Sequence, residues 1–191
     1  MPDSNDYATR LGGLLLDPAE TITMRASGSV KAAVLVPLYE EGGRLHAVFT
    51  KRPADMRRHA GEISFPGGRM DDDEDLRDTA LREAEEEIGL ARDQVQVVGA
   101  LPPIGTIVTN YAVYPFVGLT GSGNAFRPNP MEVDQVVELA LPDLIDGFER
   151  RRLIRRGVPI KTDTYTVGGH LIWGATARIL GTLLERLRPL L

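Results

Sequence analysis

Three glutamates near the middle of the chain, Glu83, Glu86 and Glu87, stand at positions i, i+3 and i+4. On a helix that spacing puts them on one face. Three carboxylates so close repel one another and weaken the helix unless something neutralises them. A hard divalent cation such as Mg²⁺ or Mn²⁺ does this well, because both prefer oxygen ligands. The adjacent Arg82 can pair with a carboxylate and hold its orientation. Residues 71–87 are mostly acidic, whereas 51–58 and 150–156 are rich in Lys and Arg. An acidic cluster facing a basic one suits a metal ion with a phosphorylated ligand. The plainer alternative is a solvated glutamate-rich surface and two charged faces of opposite sign.

These groups need elements to position them. The segment from Asp75 to Ile88 reads as a helix, with Leu76, Ala80, Ala84 and Ile88 recurring every four residues as a buried stripe. Asp71, Asp72 and Asp73 offer N-caps, and Gly89 stands where a helix stop is expected. Val30 to Tyr39 and Arg44 to Lys51 read as strands joined through Glu41-Gly42-Gly43, a hairpin turn. Further strands are expected near Val95–Leu101, Ala112–Leu119 and Val133–Leu141, with a helical turn at Pro142–Asp146. Arg152–Ile154 and Thr164–Val167 read as short strands, and Leu171 to Leu187 as a closing amphipathic helix with Ile172, Ile179, Leu183 and Leu187 on one side. Residues 1–28 read as an irregular arm whose Leu11 to Leu16 piece packs on the core, ahead of a single domain over 29–191. Strands interleaved with few helices indicate an α/β protein with a mixed sheet between helices.

Composition narrows the function. The 191 residues are 42% hydrophobic and 26% charged, ordinary for a globular protein. No apolar run approaches the ~20 residues of a membrane span, and the polar N-terminus does not resemble a secretory signal. These features read as a cytoplasmic protein without a membrane partner. The absence of cysteine removes disulfides, thiolate nucleophiles and Cys-ligated zinc. A net charge of −5 argues against wrapping nucleic acid.

The frame around the glutamates carries more. Gly68 is followed by five residues, Glu74, seven residues, and then Arg82-Glu83-Ala84-Glu85-Glu86-Glu87-Ile88-Gly89-Leu90. This resembles the Nudix box, and every fixed position matches. The resemblance implies an α/β/α sandwich with Gly68 to Leu90 as its catalytic loop–helix–loop. It implies that Glu83, Glu86 and Glu87 ligate Mg²⁺ or Mn²⁺, with the backbone carbonyl near Gly68 adding a ligand. Glu74 and Arg82 would brace the element, Gly89 would close it, and Glu85 would face solvent.

Upstream, Thr50, Arg52, Arg57, Gly61, Phe65, Pro66, Gly67 and Gly68 fall at the spacing of the signature of the coenzyme A diphosphatase branch of that family. Val48-Phe49 replace its paired leucines, and Pro53 replaces Ser or Ala. Tyr114 to Gly118, Asn129 to Val133 and Ile172 to Thr176 are also similar to that branch. Coenzyme A carries a diphosphate and a 3′-phosphate, so its site needs cations beyond the metal. Arg52 and Arg57 could supply forked guanidinium contacts, or could brace the glutamates. Arg58 reads as solvated charge. His46 reads as a strand residue, His59 as a weaker phosphate contact, and His170 as a cap or packing residue. Trp173 reads as core, with adenine stacking as the alternative.

The expected reaction is metal-assisted attack of water on a diphosphate, with Glu86, Glu87 or Glu132 as the general base and a helix glutamate favoured. With coenzyme A the products would be 3′,5′-ADP and 4′-phosphopantetheine. Alternatives are ADP-ribose, NADH or another nucleoside diphosphate as substrate, or a non-catalytic nucleotide-sensing domain. The terminal helix and N-terminal arm leave a homodimer open.

Overall fold

A computed structural model describes residues 4–54, 61–106, 109–155 and 158–191. Arg57, Arg58 and His59 lie outside them. The scaffold is set by β1 (Val30–Glu41), which pairs with β2 (Arg44–Lys51) through the Gly42-Gly43 turn. The two strands stay paired only near the turn, from Leu38↔Ala47 to Glu41↔Arg44, and then diverge. Into the opening run β3 (Ile63–Ser64), paired with the end of β2, and β4 (Gly67–Arg69), paired with the start of β1. The segment that begins the loop–helix–loop is thus woven into the sheet.

On its other side β1 pairs in parallel with β7 (Tyr111–Leu119), which also takes β5 (Gln96–Ala100) and β6 (Ile104–Gly105). β8 (Gln135–Ala140) lies along β2. These eight strands form one mixed sheet. Alternating side chains of β1 feed two cores, as the period of two requires. Ala33 and Leu35 pack under α3 (Leu76–Ile88), with Leu76, Ala80, Ala84 and Ile88. Val36 and Leu38 pack on the opposite face with Leu180, Leu183 and Leu187 of α5 (Gly174–Leu187) and with Leu141 and Leu144 of α4 (Leu141–Asp146). The architecture is an α/β/α sandwich.

Three expectations need correction. Residues 1–28 are not irregular: they contain α1 (Ser4–Gly12) and α2 (Pro18–Thr23), the second capped by the Asp17 carboxylate accepting from Ala19 N at 2.7 Å. Their Leu11 and Leu15 are buried in the α5-side core. The basic region forms a long hairpin, β9 (Phe148–Arg155) and β10 (Val158–Val167), rather than two short strands. Leu171 to Trp173 is not helical. It belongs to β11 (His170–Trp173), paired with β10 from Thr164↔Trp173 to Val167↔His170, and the helix opens only at Gly174. The cause is Gly168-Gly169, whose φ angles of 58° and 81° turn the chain back on itself. Ile172 is therefore buried from a strand, although it still contacts the same core. Among the described residues no helix is long and apolar enough to cross a membrane.

Candidate active site

The helix carrying the glutamates begins at Asp75, whose side chain accepts from Asp78 N at 2.8 Å. The cap is therefore later than Asp71–Asp73. Asp73 itself has φ of 69°, which places a turn there and aims Glu74 back at the helix. At the other end Gly89 adopts φ of 67°, the left-handed C-cap, and its N–H bonds Glu85 O at 3.0 Å. A side chain at Gly89 would also crowd Arg127, whose Cβ lies 3.1 Å away.

Arg82 organises the carboxylates. Its Nε donates to Glu74 Oε1 at 3.0 Å and its Nη2 to Glu74 Oε2 at 3.1 Å, a forked pair. Nη1 donates to Glu83 Oε1 at 3.0 Å and to Glu86 Oε2 at 3.1 Å. Thr79 Oγ1 adds a bond to Glu74 Oε2 at 2.8 Å, a contact that the sequence pattern did not suggest. The hydrogen bonds that Arg82 donates to Glu74 hold the guanidinium well above its ordinary pKa and hold the Glu74 carboxyl below its own. This braced corner ties the loop before the helix to its middle turn.

The three helix glutamates do not have equal surroundings. Glu86 and Glu85 are exposed, and Glu85 lies 3.7 Å from Arg92. Glu83 points at β4, where a Cβ on Gly68 would come within 2.5 Å of its Cδ. Glu87 is 7% exposed and its Oε2 has no hydrogen-bond partner. Burial pushes the Glu87 carboxyl up to about 8, with the Glu83 charge adding to the rise and Arg52 and the Gly67 N–H opposing it. Burial also raises Glu83, against the pull of Arg82.

Two residues from elsewhere join this group. The charge of Arg52 acts on Glu87, and its Nε is buried without a partner. Glu132 is exposed, and its charge is felt by both Glu83 and Glu87. Glu132 is brought there by a segment latched to the end of α3. Arg127 N donates to Ile88 O at 2.8 Å and Asn129 N to Glu87 O at 2.9 Å. Asn129 then organises the turn, accepting from Met131 N at its side chain and from Glu132 N and Val133 N at its carbonyl. The latch was not read from the sequence, although Asn129-Pro130, a dipeptide that favours turn initiation, is a signal that could have marked it. His46, His170 and Trp173 are not in the group. His46 stacks on Tyr39 at 5.0 Å, while His170 and Trp173 line a separate cleft.

A buried carboxylate with an orphaned oxygen and a part-buried one, both raised by burial, call for positive charge, and an all-oxygen donor set suits a hard divalent cation. Glu83, Glu87 and the nearby Glu86 fit that requirement. Among the described residues, however, no three acidic or histidine side chains converge as they stand closely enough to enclose an ion. Arg82 Nη1 already engages an oxygen of both Glu83 and Glu86. A cation would have to compete with it for them.

The NUDIX domain family matches residues 29–158. The chain is 37% identical over 160 residues to an uncharacterized Nudix hydrolase, NudL, of Photorhabdus laumondii, covering 82% of this chain and 84% of that one. It is 35% identical over 156 residues to NudL proteins of Escherichia coli, covering 80% of each. Among solved structures, a MutT/nudix family protein from Enterococcus faecalis aligns with a TM-score of 0.55 at 13% identity, covering 99% of this chain and 76% of that one. A Caenorhabditis elegans Ap4A hydrolase aligns with a TM-score of 0.51 at 21% identity, covering 61% and 84%. The protein belongs to the Nudix family and is a hydrolase of diphosphate linkages. Such hydrolases work with divalent cations such as Mg²⁺ or Mn²⁺.

Proposed function

We propose that the protein cleaves the diphosphate of coenzyme A or a derivative of it, releasing 3′,5′-ADP and 4′-phosphopantetheine. The observation that carries this reading is the placement of Arg52, a residue of the branch signature. Its charge reaches buried Glu87, while its backbone is bonded twice to the chain where it returns at Gly61-Glu62: Arg52 N donates to Glu62 O and Gly61 N to Arg52 O, each at 3.1 Å. Thr50, two residues earlier, bonds Ser64 through its hydroxyl. Phe65 to Gly68 then carry the chain directly to Glu83. The signature residues that are described thus form one continuous path into the glutamate group.

In this reading Glu83, Glu86 and Glu87, with the backbone at Gly68, hold Mg²⁺ or Mn²⁺. A bound divalent cation supplies charge neutralisation at the diphosphate and a more acidic water. Arg82 orients Glu83 and Glu86. Arg52, with Arg57 from outside the described residues, binds phosphate oxygens. Water adds to one phosphorus as the bridging P–O bond breaks, and a helix glutamate takes the proton of the water. Glu132 is the second candidate for that proton. The activity is assigned to residues 29–191, acting on a small molecule of the cytoplasm.

The test is hydrolysis of coenzyme A by purified protein with Mg²⁺ or Mn²⁺, beside an EDTA control, with products separated by chromatography. Metal-dependent release of 3′,5′-ADP is expected. Cleavage of ADP-ribose or NADH with coenzyme A left intact would overturn the substrate and keep the glutamate chemistry.

A further inference from the structure

The end of the sheet where β2 runs out carries a second feature. A cleft of about 450 Å³ opens there, walled by Lys51, Gly61 and Glu62 on one side and Gly169, His170 and Trp173 on the other. It lies over the α5 side of the sheet, since Ile63 and Ile172 beside it belong to the core beneath α5. Its size falls in the range of small-molecule sites, roughly 300–1,000 Å³. The turn that carries Gly169 and His170 also sets β11 against β10, so this strand builds the wall of the cleft.

The chemistry of the wall is specific. Trp173 is half-buried and offers an aromatic surface. Lys51 offers an ammonium and His170 a ring nitrogen. Glu62 offers an acceptor and tempers the positive charge. A ring for the indole, an anion for Lys51 and His170, and a donor for Glu62 are together the features of a phosphorylated nucleoside bearing an exocyclic amino group. A flexible amide chain would use none of the first two. The cleft is also coupled to the glutamate group through adjacent residues. Successive side chains at a strand end point to opposite sides, so Lys51 serves the cleft while Arg52 faces Glu87.

We infer that this cleft binds the phosphorylated nucleoside end of the substrate, with Trp173 stacking on the base and Lys51 and His170 contacting its phosphate. The assignment rests on the coenzyme A reading above, whose adenosine carries a 3′-phosphate. It takes the substrate past the end of β2, with the diphosphate on the Arg52 side.

Trp173 is the chain's one tryptophan, so ¹⁵N-labelled protein shows a single indole N–H signal that reports on this wall. The experiment titrates full-length protein in EDTA with adenosine 3′,5′-bisphosphate, with adenosine and with inorganic phosphate. The bisphosphate is expected to shift the indole signal saturably, with adenosine binding at least about tenfold more weakly. Lys51→Gln, a change at the end of a strand, is expected to reduce bisphosphate affinity to the adenosine level without altering the melting temperature. An indole signal unmoved at millimolar bisphosphate, or the same affinity in Lys51→Gln, overturns the assignment. The two readings fail separately. Coenzyme A cleavage without an indole shift removes the cleft, and an indole shift without coenzyme A cleavage removes the substrate.

Discussion

The Glu83 carboxylate occupies the space where a side chain on Gly68 would begin, with Cδ 2.5 Å from the position of a Cβ there. A glycine in the loop and a glutamate on the helix thus fit each other as hand and glove.

Gly68→Ala would therefore act on chemistry more than on folding. The displaced atoms are the far end of a flexible side chain, so the fold can accommodate the methyl by moving Glu83. A misplacement of about 1 Å in a catalytic group can cost roughly 10²-fold in rate. The expected result is a loss of that order in kcat with a melting temperature within a few degrees of the parent. A normal rate would mean that the position of Glu83 is not critical.

Glu87 trades stability for function. Its buried carboxylate has an oxygen with no partner, a cost of about 1–3 kcal/mol without a cation. Glu87→Gln should raise the melting temperature in EDTA, by about 2–4 °C for each kcal/mol recovered. It should also shrink the increase produced by Mg²⁺ or Mn²⁺ and cut the rate by orders of magnitude. Calorimetry with and without metal checks both halves. A lower melting temperature in EDTA would show that the carboxylate is satisfied in the metal-free protein.

The Glu74–Arg82 pair predicts an acid-sensitive corner. The Arg82 bond lowers the Glu74 carboxyl, so its contribution is fully present above the ordinary carboxyl range. It is lost as pH falls through the lowered value. Glu74→Gln should therefore be less stable than the parent near pH 7, by about 1–2 kcal/mol, and the gap should close in strong acid. Denaturant midpoints across pH 2–7 measure this. A gap independent of pH would place the effect in packing instead.

The latch through Asn129 gives a subtler case. Asn129→Ala removes the side-chain acceptor for Met131 N, loosening the turn that carries Glu132. Asn129→Asp keeps an acceptor there. About a tenfold loss of rate in the first and near-parent behaviour in the second are expected from steady-state kinetics. Equal losses would move the importance of the segment away from that bond.

The glutamate helix was legible in the sequence because three independent signals coincide on it: a four-residue apolar period, acidic residues before it and glycine after it. Its cap was misplaced by a few residues because a run of aspartates offers many caps, and only the left-handed turn at Asp73 selects Asp75. The β9–β10 hairpin was seen only in fragments, since an exposed arginine-rich strand such as Arg150-Arg151-Arg152 has little apolar alternation to reveal it. β11 was absorbed into the final helix because Leu171-Ile172-Trp173 is an apolar run without a period of its own. The unequal burial of Glu83, Glu86 and Glu87 was beyond local spacing altogether. It depends on β4, which is placed by pairing with β1.

That dependence has a temporal side. Val30 pairs with Tyr111 across the parallel β1–β7 ladder, so the helix and both turns around it lie inside a long closed loop. Closing such a loop is slow compared with forming a helix or a hairpin. During synthesis, α3 is complete before the strand that secures β1 has been made. The glutamates of α3 would then remain hydrated and dispersed until β7 arrives, and capacity to bind a cation should be among the last properties the nascent chain acquires.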